Sequence, residues 1–272
     1  MTARIRVRDG HPMNALLGIA VALCASAATA TRLPATADAL AGAMQGPRVV
    51  LLGEVHDNPA QHALRAAALR KLVESGARPA IAFEQFDVGA QDAIDRARRE
   101  RPGDADYLIA QAKGAPGWDW SLYKPFVALA LEYDLPIVAA NLSRADAMKI
   151  AMSPAGADAP ADLVRAQEEA VIKGHCDLLP PEAVPGMARA QIARDESLAR
   201  AIAPYAERGV VLLTGNGHAR KDMGVPRWLT IPSTSIGVLE DVDGPQPFDA
   251  YIVTEAAPRP DPCEDLRKRM KR

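Results

Sequence analysis

The stretch "RVVLLGEVHDNPAQH" (Arg48 to His62) decides how the chain folds. Val49, Val50, Leu51 and Leu52 are apolar at every position, which suits a parallel strand buried on both faces rather than a half-solvated one. Gly53 breaks the run and lets the backbone turn sharply, and Glu54, His56, Asp57 and Asn58 follow at once. Asn58 before Pro59 is a helix start, with an N-cap side chain followed by a proline in the first turn. A central strand, a polar turn and a crossover helix are therefore expected, with His62 riding the helix one turn on.

The same alternation recurs along the chain. Strands are expected from Arg48 to Leu52, Ala80 to Glu84, Ile137 to Ala140, Val210 to Thr214, Thr234 to Leu239 and Ala250 to Thr254. Helical spacing of apolar residues covers Pro59 to Ser75 (with Leu64, Ala67, Ala68, Leu72 and Val73 on one face), Gly89 to Arg99, Leu122 to Tyr133, Arg144 to Met152, Asp162 to Lys173 and Glu182 to Tyr205. "PAGADAP" (Pro154 to Pro160) reads as a connector, and nothing repeats at a fixed period. The fold class is α/β: a mostly parallel central sheet flanked by helices, with a helical insertion between the third and fourth strands.

The chain has 272 residues, enough for one large core without a disulfide. A net charge of -2 gives no basic face for nucleic acid, so no nucleic-acid partner is expected. The first 30 residues differ in kind: Arg4, Arg6 and Arg8 precede "ALLGIAVALCASAATA", an apolar run too short to span a bilayer. This reads as a secretory signal peptide over 1–30, cut after "ATA" or, second, after "ASA", leaving 31–272 as a single domain. The expected location is outside the cytoplasm, periplasmic or membrane-associated. Lipoprotein anchoring at Cys24 is a minority reading, because Cys24 follows Leu23 rather than a small residue. Loss of Cys24 leaves Cys176 and Cys263, an even pair in an oxidising compartment, and they are expected to bond.

In open parallel sheets ligands bind beyond the carboxyl ends of the strands. Here those ends read "GEVHDN" (Gly53 to Asn58), "FEQF" (Phe83 to Phe86), "ANLSR" (Ala140 to Arg144) and "TGNGHARKD" (Thr214 to Asp222). Two of them place a histidine three residues after a glycine. A lone loop histidine is ordinarily a solvated side chain, but four polar strand ends converging on one crevice favour a site. His56, Glu84 and His218 suit a two-histidine, one-carboxylate site for a divalent metal. Without metal, His56 could act as general base oriented by Glu54 or Asp57, with His218 stabilising negative charge. Asn141 either ends its strand and caps the next helix or donates into the crevice. "WDWSLYKP" (Trp118 to Pro125) is a ligand wall or helix packing, "GHCDLLPPE" (Gly174 to Glu182) places His175 beside Cys176, and "RKRMKR" is a solvated charge run. No HExxH, GxSxG, phosphate loop or CxxC is present.

Several segments together resemble the ChaN-like haem-binding uptake proteins of the Tiki superfamily: "LLGEVHDNPAQH", "AIAFEQF", "WDWSLYKPF", "LPIVAANLSR", "GHCDLLPPE", "RAQIARDESLA", "LTGNGHARKDMGVPRWL" and "DPCE". The resemblance implies an exported bacterial α/β protein that binds haem and serves haem or iron uptake, in some members as a homodimer with haems face to face. It also implies work beside an outer-membrane haem uptake machinery. It makes Tyr123 and His175 the iron-ligand candidates, with Tyr107 and Tyr205 left open, and adds His56, His218, Asn141 and Arg220 as further haem contacts. Erythromycin-esterase-like and Tiki-type hydrolases are wider relatives. They keep an alternative open, an esterase- or protease-like hydrolase using Glu54, His56, Glu84 and His218, with or without a divalent metal.

Overall fold

A computed structural model describes residues 29–112, 117–156 and 158–270, with side chains through Lys268. The expected signal peptide, apart from its last two residues, and Cys24 lie outside the described residues. Seven strands form one sheet: β1 (Thr31–Arg32), β2 (Val49–Leu52), β3 (Ala80–Asp87), β4 (Ile137–Asn141), β5 (Val210–Leu213), β6 (Thr234–Leu239) and β7 (Ala250–Val253). Their order is β1-β7-β6-β2-β5-β3-β4 and every pairing is parallel.

The apolar run of β2 is buried throughout because the strand sits at the centre, with Leu52 opposite Leu213 of β5 and Ile236 of β6. Alternate residues of the strands feed two cores. Val50, Leu52, Ile81, Phe83, Val211 and Leu213 face α1 (Ala37–Met44), α2 (Pro59–Glu74), α3 (Gln91–Glu100), α4 (Ala105–Ala112) and α5 (Trp120–Glu132). Val49, Leu51, Ala80, Ala82, Val210 and Leu212 face Leu198, Ala199 and Ile202 of α8 (Val184–Ile202). Each fully buried large side chain, such as Phe83, Phe86 or Phe126, contributes about 1.5–3 kcal/mol.

The expected insertion is α6 (Arg144–Met152), α7 (Ala161–Gly174) and α8, lying between β4 and β5. β1, α1 and α4 are not among the elements expected from the sequence, being short. A four-residue helix, α9 (Asn216–Ala219), and a tail helix, α10 (Pro262–Met270), complete the chain. On α2, Asn58 caps as expected, accepting from the Gln61 N–H at 3.1 Å. The buried face of α2 is different from the expected one, however: Ala67 is exposed, while Gln61, His62 and Arg65 are buried with Ala68, Leu69 and Leu72. Cys176 and Cys263 form a disulfide with Cα atoms 5.6 Å apart, closing a separation of 87 residues. Among the described residues no helix is long and apolar enough to cross a membrane.

Candidate functional site

The adjacency of β2, β5 and β3 brings the turns after them together, and two glycines make the closeness possible. A side chain on Gly53 would collide with Asn216, and a Cβ on Gly215 would lie 2.8 Å from Cε1 and Nε2 of His56. The Asn216 side chain donates to Val238 O at 2.7 Å and accepts from Val238 N at 3.1 Å, pinning the "GNGH" turn to β6.

His56 and Glu54 form the first dyad. His56 Nδ1 is 2.9 Å from Glu54 Oε1, and the Tyr123 hydroxyl donates to that same oxygen at 2.6 Å. The other carboxylate oxygen, Oε2, is ion-paired with Arg65, whose guanidinium also donates to Leu52 O at 3.0 Å and lies over the Phe126 ring. With Nδ1 facing Glu54, Nε2 of His56 is turned outward, beside the edge of Trp118 and 4.0 Å from Glu84 Oε1. The His56 side chain is 45% exposed. Beneath it, His62 is buried and its Nε2–H donates to the His56 carbonyl at 3.0 Å. Burial holds the His62 pKa below the ordinary histidine value, so the ring is a neutral prop.

His218 and Asp195 form the second dyad, with Nδ1 2.6 Å from Asp195 Oδ1 and Nε2 3.6 Å from Glu84 Oε1. Asp195 Oδ2 accepts from Gln167 at 2.9 Å. Burial alone would lower the His218 pKa, but the carboxylates of Asp195 and Glu84 outweigh it and raise the value to about 9. Burial raises Asp195 to about 6, against the pull of His218. Since 6 lies below 9, the proton resides on the imidazole at neutral pH. Glu84 is buried too, which opposes ionisation, but His218, His56, the Gly215 N–H and the Thr214 hydroxyl hold its pKa below the usual carboxylate value. Both of those donors reach Oε2 at 2.7 Å.

Above the dyads opens a cleft of about 750 Å³, lined by Glu54, His56, Asn216 and His218 on the sheet side and by Val171, His175 and Met223 opposite. His175 Nδ1 donates to Val171 O at 2.7 Å, which leaves Nε2 as the lone-pair nitrogen. Tyr123 is elsewhere: it is 1% exposed, its hydroxyl is spent on Glu54, and burial raises its pKa further, so it supports the dyad from below. Tyr107 gives its hydroxyl to Glu100 on α3, and Tyr205 precedes β5 at the amino edge of the sheet. Arg220 is paired to Asp222 at 2.9 and 2.6 Å and does not line the cleft. Asn141 is buried between the Glu84 carbonyl and Arg194, while Ser143 caps α6. Asp57 pairs with Arg259 and leaves the orientation of His56 to Glu54. The divalent-metal alternative finds no support. Among the described residues no group of three or more His, Cys, Asp or Glu could hold a metal ion, and both His218 nitrogens point at carboxylates.

Asp195, Arg65, Gln167 and Arg259 belong to the site and were not singled out from the sequence. Arg65 and Asp195 did carry a signal, since each is a charge set in the buried register of its helix, between Gln61 and Leu69 and between Ile192 and Leu198.

Taken as a class, this is a parallel α/β protein with a crevice at the carboxyl edge of the sheet over two carboxylate–histidine pairs. The chain belongs to the family described as haem-binding uptake, Tiki superfamily, ChaN, whose profile matches residues 40–229. Among solved structures it is similar to ChaN of Campylobacter jejuni, described by cofacial haem binding, at 20% identity and a TM-score of 0.64, over 76% of this chain and 87% of that one. A type III effector aligns at 14% identity and a TM-score of 0.49, over 85% and 99% of the two chains. An erythromycin esterase mutant in its open conformation aligns at 16% and 0.46, over 74% and 72%. No curated protein matches the chain significantly.

Proposed function

We propose that this chain is an exported protein that binds haem in the cleft at the carboxyl edge of the sheet, with His175 as the iron ligand, and serves haem or iron uptake. The observation that carries the reading is the orientation of His175. Its Nδ1–H is fixed on a backbone carbonyl and Nε2 is left to ligate, the arrangement that sets the tautomer of metal-binding histidines. The cleft volume falls in the range of cofactor sites, and Val55, Ala170, Val171, Met223 and Pro262 supply apolar wall for a macrocycle. Haem would bring an iron that could take an imidazole nitrogen as a ligand. The arginine-flanked apolar leader supports export and a single mature domain from residue 31, and the family resemblance supports a homodimer working beside an outer-membrane uptake machinery.

Titration of the purified chain with haem tests this. A saturable, shifted Soret band is expected, and His175→Ala should change the band and weaken binding on the order of 100-fold. Tyr123→Phe should leave the band in place. Absence of saturable binding in both iron oxidation states would defeat the reading.

A second reading, an ester or amide hydrolase, is favoured by the two dyads meeting over Glu84. Water would give a proton to His56 Nε2 as its oxygen bonds to the acyl carbon. His218 would give its proton to the leaving group as that bond breaks, and Glu84, between the rings, would return the proton. Hydrolysis lost in both His56→Ala and His218→Ala with the fold intact supports it, and activity unaltered in both removes it.

A further inference from the structure

Two segments that line the cleft meet at its edge. One is the turn after α7, which carries Gly174 and His175, and the other is the C-terminal strap, which carries Arg259 and Pro262. The Cys176–Cys263 disulfide sews them together one residue beyond His175 and one beyond Pro262. We propose that this disulfide is a thiol-exchange site for a dithiol reductant, and that its opening frees the strap and releases the ligand. The ligand half of the proposal rests on the haem reading above.

Three observations concern the C-terminal strap and the turn it is sewn to. The first part of the strap is tied by polar contacts: Arg259 to Asp57 at 2.8 Å and to Glu240 at 2.6 Å, and Glu240 to Asn58 at 2.6 Å. Beyond Arg259 the backbone N–H groups of Cys263, Glu264 and Asp265 turn back to Asp261, within the segment, and the disulfide ties the residue after Pro262 covalently to the residue after His175. Finally, Cys176 and Asp177 both adopt left-handed backbone conformations, φ 58° and 56°, which cost energy in residues that have a Cβ. That turn directly follows His175, so the disulfide is anchored one residue from the cleft.

Both cysteines are only half-buried and can be reached. In the exchange a thiolate of the reductant attacks one sulfur, the S–S bond breaks, and a mixed disulfide forms. The reductant's second thiol then resolves it. Two electrons and two protons pass to Cys176 and Cys263, which become thiols while the reductant becomes a disulfide.

The test uses the haem-loaded, oxidised full chain, with reduced thioredoxin as the dithiol probe and a phosphine as a reductant that does not ligate iron. Two new thiols per chain should appear with either, and haem transfer to apomyoglobin should run roughly tenfold faster, a factor equivalent to about 1.4 kcal/mol. The Cys176→Ser/Cys263→Ser double variant should transfer at the fast rate with or without reductant. Two thiols with an unchanged transfer rate would overturn the proposal, as would a disulfide that thioredoxin leaves intact. If the oxidised chain takes no haem, the haem reading fails by itself. The strap is then read by amide exchange over residues 254–265: faster exchange after reduction upholds its release, and unchanged exchange overturns it.

Discussion

His56 and His218 each follow a buried strand by way of a glycine, and each gives Nδ1 to a carboxylate, yet the two surroundings share little else. Glu54, behind His56, is already neutralised by Arg65 and receives the Tyr123 hydroxyl, so the imidazole above it is held mainly as a tautomer and is left half open. Asp195, behind His218, is supported by a neutral amide, and a second carboxylate, Glu84, faces the other side of the ring. The His218 side chain is 14% exposed. What differs is where the compensating charge sits. In the first turn it is a guanidinium beneath the carboxylate, and in the second it is the imidazole itself.

The largest test of that contrast is Arg65→Met. It removes the cation beneath Glu54 and leaves a buried carboxylate unpaired, so denaturant unfolding should show a loss of about 3–5 kcal/mol. A loss under about 1 kcal/mol would mean that Arg65 is not what balances Glu54. Next comes the pH dependence of the second turn. The His218 pKa is raised from 6.5 to about 9 in the folded state, so the native chain holds a proton that the unfolded chain has lost. Its stabilising contribution is present in full below pH 6.5 and disappears as pH rises through 9, by up to about 3 kcal/mol. Asp195→Asn should flatten that slope and bring the imidazole titration, followed by NMR, back down. An unchanged titration would show that Asp195 does not hold the proton in place. The smallest effect comes from a matched glycine pair. Gly215→Ala presses a methyl against His56 and should cost about 1–3 kcal/mol. Gly217→Ala meets open space and should change stability by less than about 1 kcal/mol.

The parallel sheet, its insertion and the facing of the two GxxH turns were legible because continuous apolar runs and glycine punctuation are local signals. The disulfide followed from cysteine parity. What the sequence hid was the set of side chains that arrive from a distance. Arg65 reaches back under the strand that precedes its own helix, Asp195 comes from the insertion, and Arg259 crosses to Asp57 from the far end of the chain. Each looks like an ordinary surface charge until the helix or tail that bears it is docked. Tyr123 was hidden in the opposite sense, since an aromatic cluster signals burial and ligand contact equally. In the structure Tyr123 is buried and gives its hydroxyl to Glu54.

The parallel pairing of β2 also has a consequence in time. Its two neighbours in the sheet are β5 and β6, so Val49 waits for Val210, and Leu51 for Ser235. Until most of the chain has been synthesised, the most buried strand has nothing to hydrogen-bond with and the two histidine turns have nothing to face. Such long loop closures slow folding. The centre of the sheet therefore closes only once β5 and β6 have been made.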